Sequence, residues 1–372
     1  MKITDLPEKV LKTIREGTVI PAIPLVLNAR RQYDEGRQRA LVRYYLDAGA
    51  GGIAIGVHTT QFEIRDPKYG LFEPVLSTVS RMIDQHAGKK GISPAKIGGI
   101  CGPTEQALGE AEFLRNHGYH AGLLSLSAFP DAPIEVLLDH CRKVAEVIPL
   151  FGFYLQPSVG GRILPYEFWV RFAEIENVLG IKIAPFNRYQ TLDVVRAVCD
   201  AGREREIALY TGNDDHILLD LVTEYRIRRY RNDAHGNTHE TGESSGGVRK
   251  VRIVGGLLGQ WSVWTKQAVE HHRWARELAI SGAPVPQEYL TLAEELTDAN
   301  GAIFDVAHRF AGCIPGIHEV LRRQRLLEGR WCLNPKETLS PGQAEEIDRV
   351  YRSYPHLTDD EFVQEHPSEW LG

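Results

Sequence analysis

The sequence predicts an α/β protein, a (β/α)8 TIM barrel followed by a C-terminal helical region, on three observations. Short apolar runs rich in β-branched residues alternate with longer stretches of helical periodicity, the pattern of βαβ units. Eight such runs occur, and 372 residues suffice for one barrel plus an extension. No G-x-G-x-x-G or P-loop pattern is present, so a dinucleotide-binding sheet has nothing to rest on. An open doubly wound sheet shares the local pattern, and only the strand count argues against it.

The strand candidates are 20–27, 52–55, 96–100, 121–126, 149–154, 179–183, 206–210 and 252–257. Between them the periodicity places helices over 35–49, 70–86, 104–117, 133–147, 165–176, 189–201 and 214–224. Pro103-Thr104-Glu105, Pro165 and Asp214-Asp215 supply proline, hydroxyl or acidic groups where first-turn N–H groups lack partners. Gly118 and Gly202 stand where helix ends need a left-handed residue. The polar stretch 226–250 is expected to be a hairpin-like insertion; lying before the eighth strand, it should emerge opposite the active-site face. The expected division is a barrel over 1–285 and helices over 286–372, broken at Gly312, Pro315, Gly329, Pro335 and Pro341. The acidic, aromatic end 359–372 reads as a segment docking on a neighbour.

The formal charge of −6 comes from 43 basic and 49 acidic residues without a basic block, which argues against nucleic acid as a partner. The N-terminal 15 residues are amphipathic and polar, and no apolar run reaches membrane-spanning length, so a cytoplasmic protein without membrane contact is expected. Five widely spaced cysteines, an odd number with no C-x-x-C, read as buried thiols of a reducing compartment. His235, His239 and Glu240 have a spacing a metal could use, but their polar setting on the far face favours a solvated hairpin, and neither metal nor cofactor is expected.

Lys182 interrupts an apolar strand, Leu179-Gly180-Ile181-Lys182-Ile183-Ala184. A buried ammonium must be paired or lose its proton, and a neutral amine attacks ketones to give an imine that serves as an electron sink. Alone, Lys182 reads more readily as a strand-end lysine reaching solvent. Tyr154, one βα unit upstream in Tyr154-Leu155-Gln156-Pro157, favours chemistry, because adjacent strands about 4.8 Å apart are expected to bring its phenol to the same end of the barrel for proton transfer.

These residues carry a resemblance. The opening G-T-V-I-P-A-I-P-L at 17–25, Tyr154-x-x-Pro157, Gly180-Ile181-Lys182 and the Gly212-Asn213-Asp214-Asp215 loop together resemble, in order and spacing, the dihydrodipicolinate synthase/N-acetylneuraminate lyase family of class I aldolases. The resemblance covers most of 18–285. It implies a lyase in which Lys182 forms a Schiff base with a 2-oxo acid such as pyruvate and Tyr154 donates and accepts protons. It further implies aldol cleavage, condensation or dehydration with an aldehyde or sugar-acid co-substrate, in a homo-oligomer (dimer or tetramer). The family's carboxylate-binding loop corresponds to 56–63, where Gly56, His58, Thr59 and Thr60 become substrate-binding candidates, His58 equally readable as an ordinary loop histidine. Asn187 and Arg188 follow the lysine strand. Gly256, in a glycine-rich strand end, permits close approach of a ligand, and Trp261 and Trp264 either wall the pocket or fill helix packing.

Two departures stand out. Phe129 replaces the tyrosine that relays protons in the synthases, and Arg162 is displaced by three positions from the arginine that holds their distal carboxylate. A true dihydrodipicolinate synthase is therefore not expected. A barrel that binds 2-oxo or sugar acids without turnover, as a sensor, is the alternative.

Overall fold

The computed structural model describes residues 1–228, 230–232, 238–240 and 248–371. Eight parallel strands form the barrel: β1 (Val19–Pro21), β2 (Gly52–Ile55), β3 (Ala95–Ile100), β4 (Ala121–Leu124), β5 (Leu150–Leu155), β6 (Val178–Ala184), β7 (Ala208–Thr211) and β8 (Ile253–Leu258). From β2 to β8 each pairs with its successor, and β8 pairs with β1. The ring closes between β1 and β2 through a parallel bridge from Ala22 to Ala54. All eight are buried almost throughout, as a sheet covered by helices outside and filled by side chains inside must be.

The expected first strand, 20–27, is shorter, because Pro24 has no N–H to give to a ladder. Beyond Pro21 the buried Gln38 amide takes over, accepting from Val26 N at 3.0 Å and donating to Pro24 O at 3.2 Å. The expected helix over 214–224 is also shorter, Ile217–Val222; Asp214 and Asp215 lie in the turn before it, where the carbonyl of Asp214 accepts from Asn300 Nδ2 at 2.7 Å. Two helices were not anticipated. Glu8–Glu16 closes the N-terminal end of the barrel, burying Val10 and Ile14, and Tyr210 Oη donates to Ile14 O at 2.9 Å. Thr265–Ser281 follows β8 as the eighth barrel helix.

Inside the insertion, Tyr225–Arg228 pairs antiparallel with Val248–Val251, and Tyr230–Asn232 with Thr238–Glu240. Its base is tied to the N-terminal side by Arg249 and Glu204 at 3.4 Å. The candidate metal group falls outside the described residues at His235 and in the side chains of His239 and Glu240. The five cysteines are buried, and among the described residues no helix is long and apolar enough to cross a membrane.

The C-terminal region contributes Gln287–Ile303, Cys313–Arg323, Gln343–Ser353 and two short helices, Asp360–Glu365 and Pro367–Leu371. Pro315 does not separate helices as expected; it occupies the first turn of Cys313–Arg323, where a missing N–H costs nothing. The terminal segment does not await a neighbour either. Trp370, 1% exposed, packs on Tyr44 and Phe362, and its indole N–H donates to Asp47 at 2.9 Å. The apolar surface expected to need a partner is thus covered by the chain's own barrel. Replacing Trp370 with alanine is expected to cost about 3–5 kcal/mol, read as a lowered midpoint in denaturant unfolding.

Candidate active site

Strand register decides which residues meet inside the barrel. Lys182 on β6 is paired with Phe153 on β5 and Tyr210 on β7, and residues in register face the same side. The lysine therefore points inward, its ammonium 4.5 Å from the centroid of the Phe153 ring. Room for its methylenes comes from Gly212, at which a Cβ would stand 2.7 Å from Lys182 Cε. Among the described residues Lys182 enters no ion pair. Burial holds its pKa well below the ordinary lysine range, opposed by the negative charge of Asp214.

Lys182 lines a narrow cavity of about 60 Å³ at the C-terminal end of the barrel, shared with His58, Thr59, Gln156 and Asp214. That is room for roughly four waters, the scale of a three-carbon acid. Asp214 is partly buried, with Oδ1 accepting from Gln260 N at 3.3 Å. Burial raises its pKa and the Lys182 charge pulls it back. The lysine moves down and the carboxyl up, so their proton affinities converge. His58 is held at about 4 by burial and by the Lys182 charge, which makes it a neutral imidazole near pH 7.

A larger cavity, about 740 Å³, lies between the helices Thr265–Ser281 and Gln287–Ile303. Its walls carry Glu270, Glu277, Glu288 and Glu295 but no lysine, so size does not mark the site here; chemistry does.

The expected meeting of Tyr154 and Lys182 does not occur. Tyr154 follows Phe153 along β5 and faces the opposite side, in the layer between barrel and helices. Its ring lies 5.2 Å from that of Trp169, and its hydroxyl exchanges 3.2 Å hydrogen bonds with the backbone of Leu164. Burial raises its pKa, so it stays a neutral packing residue.

Of the expected substrate-binding residues, His58 and Thr59 line the cavity. Thr59 Oγ1 donates to Ala22 O at 2.5 Å, a bond it must release to serve an anion. Thr60 is fully committed: its hydroxyl donates to Ile23 O at 2.9 Å and accepts from Gly56 N at 3.0 Å. Gly56, at φ 76°, shapes that turn. Asn187 caps the helix Arg188–Asp200, accepting from Tyr189 N and Gln190 N. Gly256 lies beneath Trp261, where a Cβ would stand 2.6 Å from the indole. Trp261 and Trp264 are buried packing residues, the latter against Tyr351. Arg188 pairs with Asp220 at 2.7 Å, and Arg162 donates to the carbonyls of Phe129 and Ala132.

The remaining wall was not anticipated. Phe304, Phe310 and Cys313 reach the cavity from the C-terminal region. Asp305 fixes their loop, accepting from Gly312 N at 2.9 Å and Ser340 Oγ at 2.5 Å. Gln343 adds bonds to the carbonyls of Ala302, Ile303 and Gly312.

The architecture and the buried lysine define a (β/α)8 barrel with an amine at the catalytic end, and the comparisons place it further. No family model matches the chain. The 4-hydroxy-tetrahydrodipicolinate synthase of Thiobacillus denitrificans is 30% identical over 182 residues, 49% of this chain and 57% of that protein. Its Nostoc counterpart is 30% identical over 161 residues, 42% and 49% respectively. The chain thus spans about half the length of these relatives. Among solved structures, the Acinetobacter baumannii dihydrodipicolinate synthase complexed with pyruvate superposes with a TM-score of 0.68 at 18% identity, covering 92% of this chain and 99% of that one. YagE of E. coli K12, also in complex with pyruvate, gives 0.67 at 14% identity over 92% and 98%. CdNal of Clostridium difficile, in complex with mannosamine, gives 0.66 at 14% identity over 91% and 99%. At such identities the structural likeness is one of fold. The chain is thus similar over part of its length to 4-hydroxy-tetrahydrodipicolinate synthases and shares the fold of the dihydrodipicolinate synthase structures.

Since burial and, after it, the Lys182 charge depress His58, the histidine's NMR titration is expected to have its midpoint near pH 4 and to move part of the way back toward the ordinary value in Lys182→Met. An unshifted midpoint in both proteins would place the imidazole outside the field of the amine.

Proposed function

We propose that the chain is a class I aldolase-type lyase whose Lys182 forms an imine with a 2-oxo acid of about the size of pyruvate. The observation that carries this reading is the unpaired Lys182 amine, buried in a small cavity with its pKa lowered by desolvation. The neutral amine adds to the ketone carbon, the carbinolamine oxygen leaves as water, and an iminium remains. Loss of a proton from the adjacent carbon gives the enamine. That carbon bonds to the carbonyl carbon of an aldehyde, whose oxygen gains a proton, and water then releases the product from the lysine; aldol cleavage is the reverse.

Asp214 is the group suited to moving these protons, since its raised proton affinity brings it near that of the amine. Thr59 and the neutral His58 offer donors to the carboxylate of the acid. Tyr154 has no part. The alternative, a barrel holding a 2-oxo acid without turnover, is favoured by the outward Tyr154 and countered by Asp214, which supplies the proton-transfer group that Tyr154 does not.

Borohydride added with pyruvate is expected to fix a covalent adduct, visible by mass and mapped to Lys182, and Lys182→Ala should gain none; a wild-type protein without adduct would end this reading. The rate of trapping should rise with pH through a midpoint well below that of a free lysine. Because the Asp214 charge favours the ammonium, Asp214→Asn should move that midpoint further down. The same variant should slow deuterium exchange at the pyruvate methyl by about a hundredfold if the carboxyl is the base; unchanged exchange would remove Asp214 from that role, and exchange absent from wild type as well would favour the binder.

A further inference from the structure

The cavity beside Lys182 accommodates the 2-oxo acid and little else, so a second reactant must meet the enamine at the mouth. The mouth is aromatic. Phe186, two residues past β6, stands 5.7 Å from Phe310 at an interplanar angle of 68°, and Phe304 adjoins them on the wall. Phe186 and Phe310 are each only partly buried, leaving ring surface open to solvent.

Both rings are held by backbone that bulky residues avoid, φ 51° at Phe186 and 68° at Phe310. Each is locked from behind. Asn213 Oδ1 accepts the Phe186 N–H at 3.0 Å, and its amide donates to the buried Asp220 at 3.1 Å. Phe310 N donates to Asp305 O at 3.0 Å, within the loop that Asp305 and Gln343 fasten. Strain maintained by buried polar groups at a ligand entrance marks a position where ring placement matters.

The charge inventory disfavours the other classes of partner. Among the described residues lining the cavity, Lys182 is the one cation, and its charge is gone once the iminium has lost a proton to become the enamine that meets the second reactant. Arg162 is bound to backbone carbonyls, Arg188 to Asp220 and Arg65 to Glu110, while Arg309 is exposed and off the cavity wall. A distal carboxylate would enter with no counter-charge, and at Phe186, Phe304 and Phe310 the hydroxyls of a sugar would face rings that return no hydrogen bond; both cost desolvation. An aromatic ring loses little and gains offset or edge-to-face contacts.

Resting on the imine reading above, we propose that the carbonyl partner is an apolar aromatic aldehyde whose ring packs against the open ring surfaces of Phe186 and Phe310, and that these two residues, with Phe304, set the specificity. The full-length protein is supplied with pyruvate and, in turn, benzaldehyde, succinic semialdehyde and erythrose, with borohydride trapping of pyruvate alone run alongside. Benzaldehyde is expected to have a kcat/KM at least roughly tenfold above the other two. In Phe310→Ala and Phe186→Ala the ratio of benzaldehyde to succinic semialdehyde should fall about tenfold, and Phe310→Tyr should restore it. A ratio cancels any general loss of folded enzyme. An adduct on Lys182 accompanied by equal or better use of the charged or polyhydroxy aldehyde, or by no use of benzaldehyde, overturns this specificity and leaves the imine reading standing. A ratio unmoved by the alanine variants removes Phe186 and Phe310 from selection. No adduct at all overturns both.

Discussion

Burying the amine of Lys182 is the constraint around which the site is organised. An ammonium inside a barrel loses its hydration, and here that loss is offset by the face of the Phe153 ring and by the charge of Asp214. Its neighbours are consistent with an uncharged amine: Gly212 leaves room for the methylenes, and His58 stays neutral beside it. Asp214 is drawn toward the protonated form by the same desolvation. One dry volume thus sets three proton affinities, two lowered and one raised.

The barrel and the lysine were legible because their signals are local. A lysine within an apolar strand is a contradiction visible in seven residues, Val178–Ala184, and strand spacing survives without knowledge of what packs where. Tyr154 was misread for an equally definite reason. The ladder between β5 and β6 shifts register between Leu150 and Phe151, and one residue of slip turns every later side chain to the other face. Motif spacing along the chain cannot reveal such a slip. Phe153, not Tyr154, came to face the amine.

Asp214 was readable as a residue but not as a role. Its place after a strand and before a helix resembles a cap, and only the Asn300 bond that draws its backbone away from the helix shows the turn to belong to the mouth. Thr60 erred in the other direction, since a hydroxyl at a loop tip looks available until its bonds to Ile23 and Gly56 are counted. Phe304, Phe310 and Cys313 lie more than a hundred residues from Lys182, and no pattern in sequence announces a contact closed by tertiary packing alone.

That the ceiling of the cavity belongs to the C-terminal region has a consequence for the lifetime of intermediates in the proposed reaction. An enamine survives in proportion to the exclusion of water, and here exclusion depends on a loop fastened by Asp305 and Gln343 to the helices behind it. Opening that loop needs no unfolding of the barrel, only the breaking of a handful of hydrogen bonds, a local event of far smaller free energy. For the proposed chemistry, the leak rate would thereby follow the stability of the C-terminal region rather than that of the barrel that holds the amine.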